Sequence, residues 1–225
     1  MNRTHPSRIG LAPAAALGLL ALLLVGGCNN PFKPANPEPP SGEIVVEDFS
    51  SIDNMLNTMG TAIQTRTTNG ANAYIHTFAD SLVPGDRAFR AFYDPSVLAA
   101  WLSGSNGQTP PYPWTLANER GLHSKLSSIR PNDGYAFTWS RDTKYSQGDQ
   151  QIAPDVWSVH IQYLLYATPS STEPVVIAQG YADLLIQQVG AKWSIFEWHD
   201  RVDPEVGVNP SGDQRTFTYY RLESL

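Results

Sequence analysis

Trp198, His199 and Asp200 stand together at the end of a long apolar run, and of the three Asp200 is the one suited to moving a proton. A carboxyl beside an indole is readily desolvated, which raises its pKa toward the range of a general base. His199 points away from Asp200 in a regular strand, so contiguity does not make them a dyad. Tyr93, Trp139, Trp157, Tyr163 and Trp198 complete, with Asp200, a set able to line an apolar cavity that has a few polar tips. The plainer account of the same residues is an aromatic core, with Asp200 solvated near Arg201.

Other chemistries lack their residues. His76, His123, His160 and His199 are scattered singly, with no His-x-His strand pair and no two histidines four apart on a helix. No metal site is expected from that spacing. His76 and His123 fall on exposed helix surface and His160 on the outer face of a sheet. No Gly-rich phosphate loop or G-x-S-x-G elbow occurs, and Cys28 is the sole cysteine. No cofactor is implied, and the balance leans away from catalysis.

Asp200 needs a strand to aim it. Gly180–Asp203 reads as a long hairpin turning at Val189–Gly190–Ala191, with Leu184, Ile186, Trp193 and Ile195 on one face. Trp198 and Asp200 fall on the opposite parity to Trp193 and Ile195. A β-bulge near Phe196–Glu197 would turn them back inward, to the mouth of a cavity. Upstream, Trp157, Val159, Ile161, Tyr163 and Leu165 alternate with Ser158, His160, Gln162 and Leu164, the cleanest period-two stretch in the chain. Tyr135, Phe137 and Trp139 give a further strand. Gln147–Pro154 reads as a polar loop, Val206–Asp213 as another, and Arg215–Leu222 as either a last strand or a short helix.

The first half is helical. Ile52, Met55, Leu56, Met59 and Ile63 form one apolar stripe within Ser50–Thr65, capped by Ser50 or Ser51. Ala71–Leu82 resumes the pattern with Tyr74, Ile75, Phe78 and Leu82. Phe89–Tyr93 is a short strand, and Asp94–Pro95 opens a helix through Trp101 as N-cap and first residue. Trp114–Ile129 is a further helix.

A helix pair, a short strand, more helices and then long antiparallel strands ending in W-x-I-x-x-W-x-D resemble the nuclear-transport-factor-two-like, or SnoaL-like, α+β cone. Tyr74–Phe78, Phe92–Tyr93–Asp94–Pro95, Trp193, Ile195, Trp198 and Asp200 carry the resemblance, over roughly Val46–Asp203. It implies N-terminal helices packed in a strongly bent antiparallel sheet with a cavity at its open end. Members of that family include isomerases, dehydratases, cyclases and non-catalytic binding or dimerising proteins. The fold does not choose among them. An isomerase or dehydratase would use Asp200 as general base, with Tyr93 or Tyr163 orienting the substrate.

The N-terminus carries an address. Met1–Arg8 is basic, Ile9–Gly27 is uncharged and rich in Leu and Ala, and Val25–Gly26–Gly27–Cys28 closes it. That ending resembles a bacterial lipobox, which implies cleavage after residue 27 and acylation of Cys28. Asn29 rather than Asp after the cysteine resembles an outer-membrane sorting signal. The expected organisation is a signal peptide over 1–27, a lipidated cysteine with a Pro-rich tether over 28–45, and one cone domain over 46–225. Residues 1–27 hold two of the 15 basic residues and none of the 21 acidic ones, leaving the remainder at −8 with no basic run. Nucleic acid is therefore excluded as a partner. The expected partners are a membrane, reached through the lipid on Cys28, and a small apolar ligand or a protein. Three roles stay open: a non-catalytic envelope binding domain on the periplasmic or cell-surface side, a SnoaL-like enzyme, or a structural lipoprotein. The last would self-associate, as a homodimer, through outer-face aromatics such as Tyr181 and Phe196.

Overall fold

The computed structural model describes residues 44–105, 108–130, 132–169, 173–205 and 215–225. Cys28, the tether up to residue 43 and the whole of the loop expected at Val206–Asp213 lie outside the described residues. The elements run α1 (Ile52–Gln64), α2 (Thr68–His76), β1 (Arg90–Phe92), α3 (Pro95–Gly104), β2 (Trp114–Thr115) and α4 (Leu116–Ile129). Then come β3 (Gly134–Arg141), β4 (Gln150–Ala153), β5 (Val156–Thr168), β6 (Val175–Val189), β7 (Lys192–Arg201) and α5 (Phe217–Glu223). Among the described residues the architecture is α+β, with five helices and a curled seven-stranded sheet ordered β2-β1-β7-β6-β5-β3, β4 pairing with β5. None of the described helices is long and apolar enough to cross a membrane.

Local chemistry sets the helix ends. Ser51 caps α1 by accepting from the Asn54 N–H, and its buried stripe is Met55, Leu56, Met59 and Ile63. Asp94 caps α3 by accepting from the Ser96 and Val97 N–H groups, with Pro95 at the first position. α2 ends at His76, earlier than its apolar pattern suggests, because Phe78 and its neighbours join the sheet: the Ala79 N–H donates to the Ile195 carbonyl. Leu82, expected on the buried stripe, is consequently outside it and exposed.

The sheet departs from expectation in two places. β1 runs parallel to β7, with Ala91 opposite Trp198, so the sheet is mixed rather than wholly antiparallel. The long helical path between β1 and the hairpin permits that direction. β4 forms within the stretch expected as a loop, because Gln150 and Gln151 find β5 backbone partners in Ser158 and Trp157. The hairpin itself turns through Gly190 and Ala191, Gly190 having φ +61°. Its ladder shifts at one point: Leu185 faces Glu197 while Ile186 faces Ile195, leaving Phe196 as the extra residue of a bulge. Ile195, Trp198 and Asp200 all end on the buried face as a result.

That face, with α1, α2 and α4, makes one continuous core in which Met55, Leu56, Tyr74, Phe78, Leu122, Tyr163, Leu184 and Trp198 are buried. A smaller cluster of Ala79, Val156 and Phe196 lies apart from it, with Leu185 against it. His123 belongs inside: its Nε2 sits 3.0 Å from the Ala62 carbonyl, and burial holds its pKa below the ordinary value. The expectation of an exposed His123 fails because α4 packs against the first helices on that side.

Gly180 sits in a tight part of the sheet. It pairs with Tyr163 in the ladder, and a Cβ there would lie 2.7 Å from the Arg201 carbonyl and 2.8 Å from the Tyr163 hydroxyl. Gly180→Ala should cost about 1–3 kcal/mol through overpacking. Urea unfolding of the two proteins checks this, and an unchanged midpoint would show that the phenol has room to yield.

Candidate functional site

Asp200, the residue singled out for proton chemistry, does point inward. It is 2% exposed, beside Tyr163, Trp198 and Phe217, which are fully buried. Its Oδ1 accepts from the Tyr163 hydroxyl at 2.7 Å, and its Oδ2 accepts from the Thr218 backbone N–H. The Tyr163 oxygen in turn accepts from the Phe217 N–H at 3.1 Å. Phe217 and Thr218 open α5, so the carboxylate and the phenol satisfy N–H groups that the start of a helix leaves unpaired. Thr216, the N-cap residue, makes no side-chain cap bond itself. The cap comes from residues remote in sequence.

The far end of α5 is held as firmly. Arg221 meets Glu119 of α4 through two bonds, Nε to Oε2 and NH2 to Oε1, both 2.9 Å. Glu119 also accepts from the Tyr74 hydroxyl and the Trp114 indole N–H, each at 2.6 Å. Both ions are completely buried. Arg221 lies over Trp198, 5.1 Å from the ring centroid, and one of its nitrogens, NH1, has no partner among the described residues.

Burial pushes the Asp200 carboxyl above its ordinary range, against the opposing pull of Arg221 and the bonds from Tyr163 and Thr218. Burial likewise raises Tyr163 and Tyr74 well above the usual phenol value, and the neighbouring carboxylates add to it. Tyr93 is pushed up to about 12, again by burial. Burial opposes the charge on Arg221, yet Glu119 more than restores it, so the guanidinium stays protonated.

The residues expected to line one cavity divide. Tyr163, Trp198 and Asp200 converge under α5, and Tyr93 approaches from the side, edge-on to Trp114 with its hydroxyl on the Pro111 carbonyl. Trp139 does not join them. Its indole N–H donates to Asn57 at 3.1 Å, in a groove against α1 lined also by Gly60, Gln64 and Phe137. Trp157 is half-buried and pairs across the sheet with Ile186 and Gln151. Glu119, Arg221 and Tyr74 were not anticipated as site residues. Glu119 looks like a solvated helix residue by letter, and the one available signal was Arg221 in a segment of apolar and aromatic neighbours. Among the described residues, no group of three His, Cys, Asp or Glu is arranged to hold a metal ion.

The outer face carries its own grouping. Tyr181 and Phe196, whose exposure there would favour self-association, are covered: Tyr145 packs edge-on against Tyr181, and the Arg87 guanidinium lies over Phe196. Beside Phe196 is an open groove of about 570 Å³, floored by Leu185 and Phe196 and edged by Arg87, Arg90, Glu197 and Ile152.

No protein-family model matches the chain. No curated protein matches it either. Solved structures do resemble it. One is a protein of unknown function from Mycobacterium tuberculosis, 11% identical, covering 77% of this chain and 85% of that one, with a TM-score of 0.48. Another is ActVI-ORFA from Streptomyces coelicolor, 8% identical over 66% and 92%, TM-score 0.46. A third is an NTF-2-like protein of unknown function from Shewanella oneidensis, 11% identical over 66% and 94%, TM-score 0.40. These are likenesses in the course of the chain and say nothing of activity.

Two outcomes follow from the buried cluster. Arg221→Met leaves Glu119 as an uncompensated buried charge and should cost about 3–5 kcal/mol, while adding Glu119→Gln should recover a large part of it. Urea unfolding of the single and double variants checks this; equal losses in both would mean that the pair is not coupled. For Asp200, the folded-state pKa lies above the unfolded value of 3.8. Its contribution to stability is then fully present below 3.8 and is lost as pH rises through the folded value. Wild type should therefore gain stability relative to Asp200→Asn as pH falls from 7 to 4, measured by denaturant midpoints.

Proposed function

We propose that this chain is an exported, lipid-anchored envelope domain that acts through its outer surface, binding a small amphiphilic ligand or a protein partner, and not through a reaction chamber inside the cone. One observation carries the reading. Asp200 and Glu119, the carboxylates an interior reaction would use, are engaged by Tyr163, Thr218, Tyr74, Trp114 and Arg221 of the same chain. Glu119, accepting four bonds, has no lone pair free to meet a substrate proton, while Asp200 accepts two and is shut in under α5, which would have to lift before a substrate reached it. The SnoaL-like isomerase or dehydratase reading loses access to its base on that ground.

The outer groove is the surface best suited to the task. Its floor is apolar, and Arg87 projects its guanidinium over Phe196 at 4.7 Å, so an apolar body with an anionic end fits it. Export and anchoring rest on the sequence: the basic start, the apolar run and Cys28.

Anilinonaphthalene sulfonate, an apolar ring system with one anionic group, is a direct probe. Its fluorescence on binding should weaken about tenfold in affinity with Arg87→Glu, the size expected for losing one charged contact, and be unchanged with Tyr163→Phe. The reverse ranking would return the site to the interior. Cys28→Ser should release the protein from the membrane fraction and abolish palmitate incorporation. Membrane retention of an unlabelled variant would overturn the anchor.

A further inference from the structure

Three side chains on the outer face of the sheet are arranged as a nucleophile, a base and an orienting acid. Ser158 and His160 are two apart on β5 and so share a face. The Ser158 hydroxyl lies 3.2 Å from His160 Nε2, and His160 Nδ1 lies 2.5 Å from Asp183 Oδ1. Asp183 is directly opposite His160 in the β5–β6 ladder, so the sheet itself holds that contact. The same carboxylate oxygen accepts from Arg201 at 2.8 Å, which fixes its orientation. With Nδ1–H donating to Asp183, Nε2 is left as the acceptor for the Ser158 hydroxyl proton. This is the arrangement that activates serine in acyl transfer, and it is recognised by geometry rather than by sequence order or fold.

The surroundings fit a substrate. His160 and Asp183 are partly open, with side chains 20% and 31% exposed, in contrast to Asp200. Leu185, the ladder partner of Ser158, forms part of the groove floor, so the hydroxyl stands at the edge of the apolar groove. Gln150 lies opposite Ser158 on β4 and is exposed, so its side-chain amide shares the face of the Ser158 hydroxyl and is the candidate oxyanion donor.

We propose that Ser158, His160 and Asp183 form an esterase-type acyl-transfer site whose substrates are esters with an apolar acyl group and an anionic end. The substrate preference rests on the groove reading given above; the triad rests on its own geometry. Ser158 Oγ attacks the ester carbonyl, forming a C–O bond while its proton passes to His160 Nε2. The tetrahedral intermediate expels the alcohol, which takes that proton from His160. Water, deprotonated by the same nitrogen, then attacks the acyl-serine and releases the carboxylic acid and the free hydroxyl. The net reaction is ester plus water to acid plus alcohol. Asp183 is a positioning residue that keeps the proton on Nδ1.

The test is a fluorophosphonate probe on the purified full chain in detergent micelles, with peptide mass spectrometry to place the adduct. An adduct on Ser158, lost in Ser158→Ala and slowed about 100-fold or more in His160→Gln, is the expected result. Hydrolysis of 4-nitrophenyl butyrate should fall in parallel, and Asp183→Asn should lower kcat with little change in KM. Ser158, His160 and Asp183 are partly exposed, and circular dichroism of each variant checks that it folds. No adduct, or an adduct on another residue, overturns the proposal. Labelling at Ser158 that persists in Arg87→Glu, with anilinonaphthalene sulfonate affinity unchanged, would overturn the groove and leave the triad standing.

Discussion

The ion pair between Glu119 and Arg221 is the interaction on which the rest of the interior depends. Taking two charges out of water costs several kcal/mol per ion, and mutual attraction alone does not reliably repay it. Here the carboxylate receives four donors: two from the guanidinium and one each from Tyr74 and Trp114. A carboxylate has about four acceptor positions, so Glu119 is saturated. Those four donors come from α2, β2 and α5, while Glu119 itself is on α4. An apolar core would tolerate small slides between these elements; a charge with four fixed partners does not. The pair specifies one arrangement of the helices more than it adds stability.

The same pair explains why the inner carboxylates are structural. Arg221 can reach Glu119 only if α5 lies in the core, and Phe217, Tyr220 and Leu222 bury around it. A short helix so placed brings unpaired N–H groups at its start into a dry interior, where each would cost about 1–3 kcal/mol if unmet. Asp200 and Tyr163 meet them. The bulge at Phe196 matters for this reason: without the extra residue, Trp198 and Asp200 would face outward and α5 would have neither cap nor floor. The raised pKa of Asp200, which in isolation looks like a sign of catalysis, is the cost of burial accepted for a cap.

Much of this was legible in the sequence where the physics is local. The apolar stripe of α1, the Asp94–Pro95 cap, the alternation along β5 and the parity break at Phe196 each come from a period or a steric rule acting over a few residues. That Asp200 faces inward followed from the parity break. What was not legible depends on partners far apart along the chain. Glu119 and Arg221 are 102 residues apart, and neither letter signals the other. The state of α5 was ambiguous because its seven residues suit a strand or a helix, and the choice is made by Asp200 and Glu119. Trp139 and Trp157 were grouped with the interior set by residue type alone, but their positions on β3 and β5 separate them. The lipobox reading rests on residues outside those described here, and it stands on sequence alone.

The two faces of the sheet thus divide the titratable groups by availability. A side chain does chemistry on another molecule only if it keeps a lone pair or a proton unassigned, and only if that molecule can reach it. Glu119 meets neither condition, and Asp200, shut in under α5, fails the second. His160 meets both: one nitrogen is committed to Asp183, the other faces a hydroxyl that any approaching electrophile could share, and the ring is partly open. Burial raises the Asp200 carboxyl above its ordinary range, while access, not burial, is what distinguishes the outer group. On the inner face the raised pKa of Asp200 accompanies its role in holding α5 in place, whereas His160 keeps a partly open ring on the outer face.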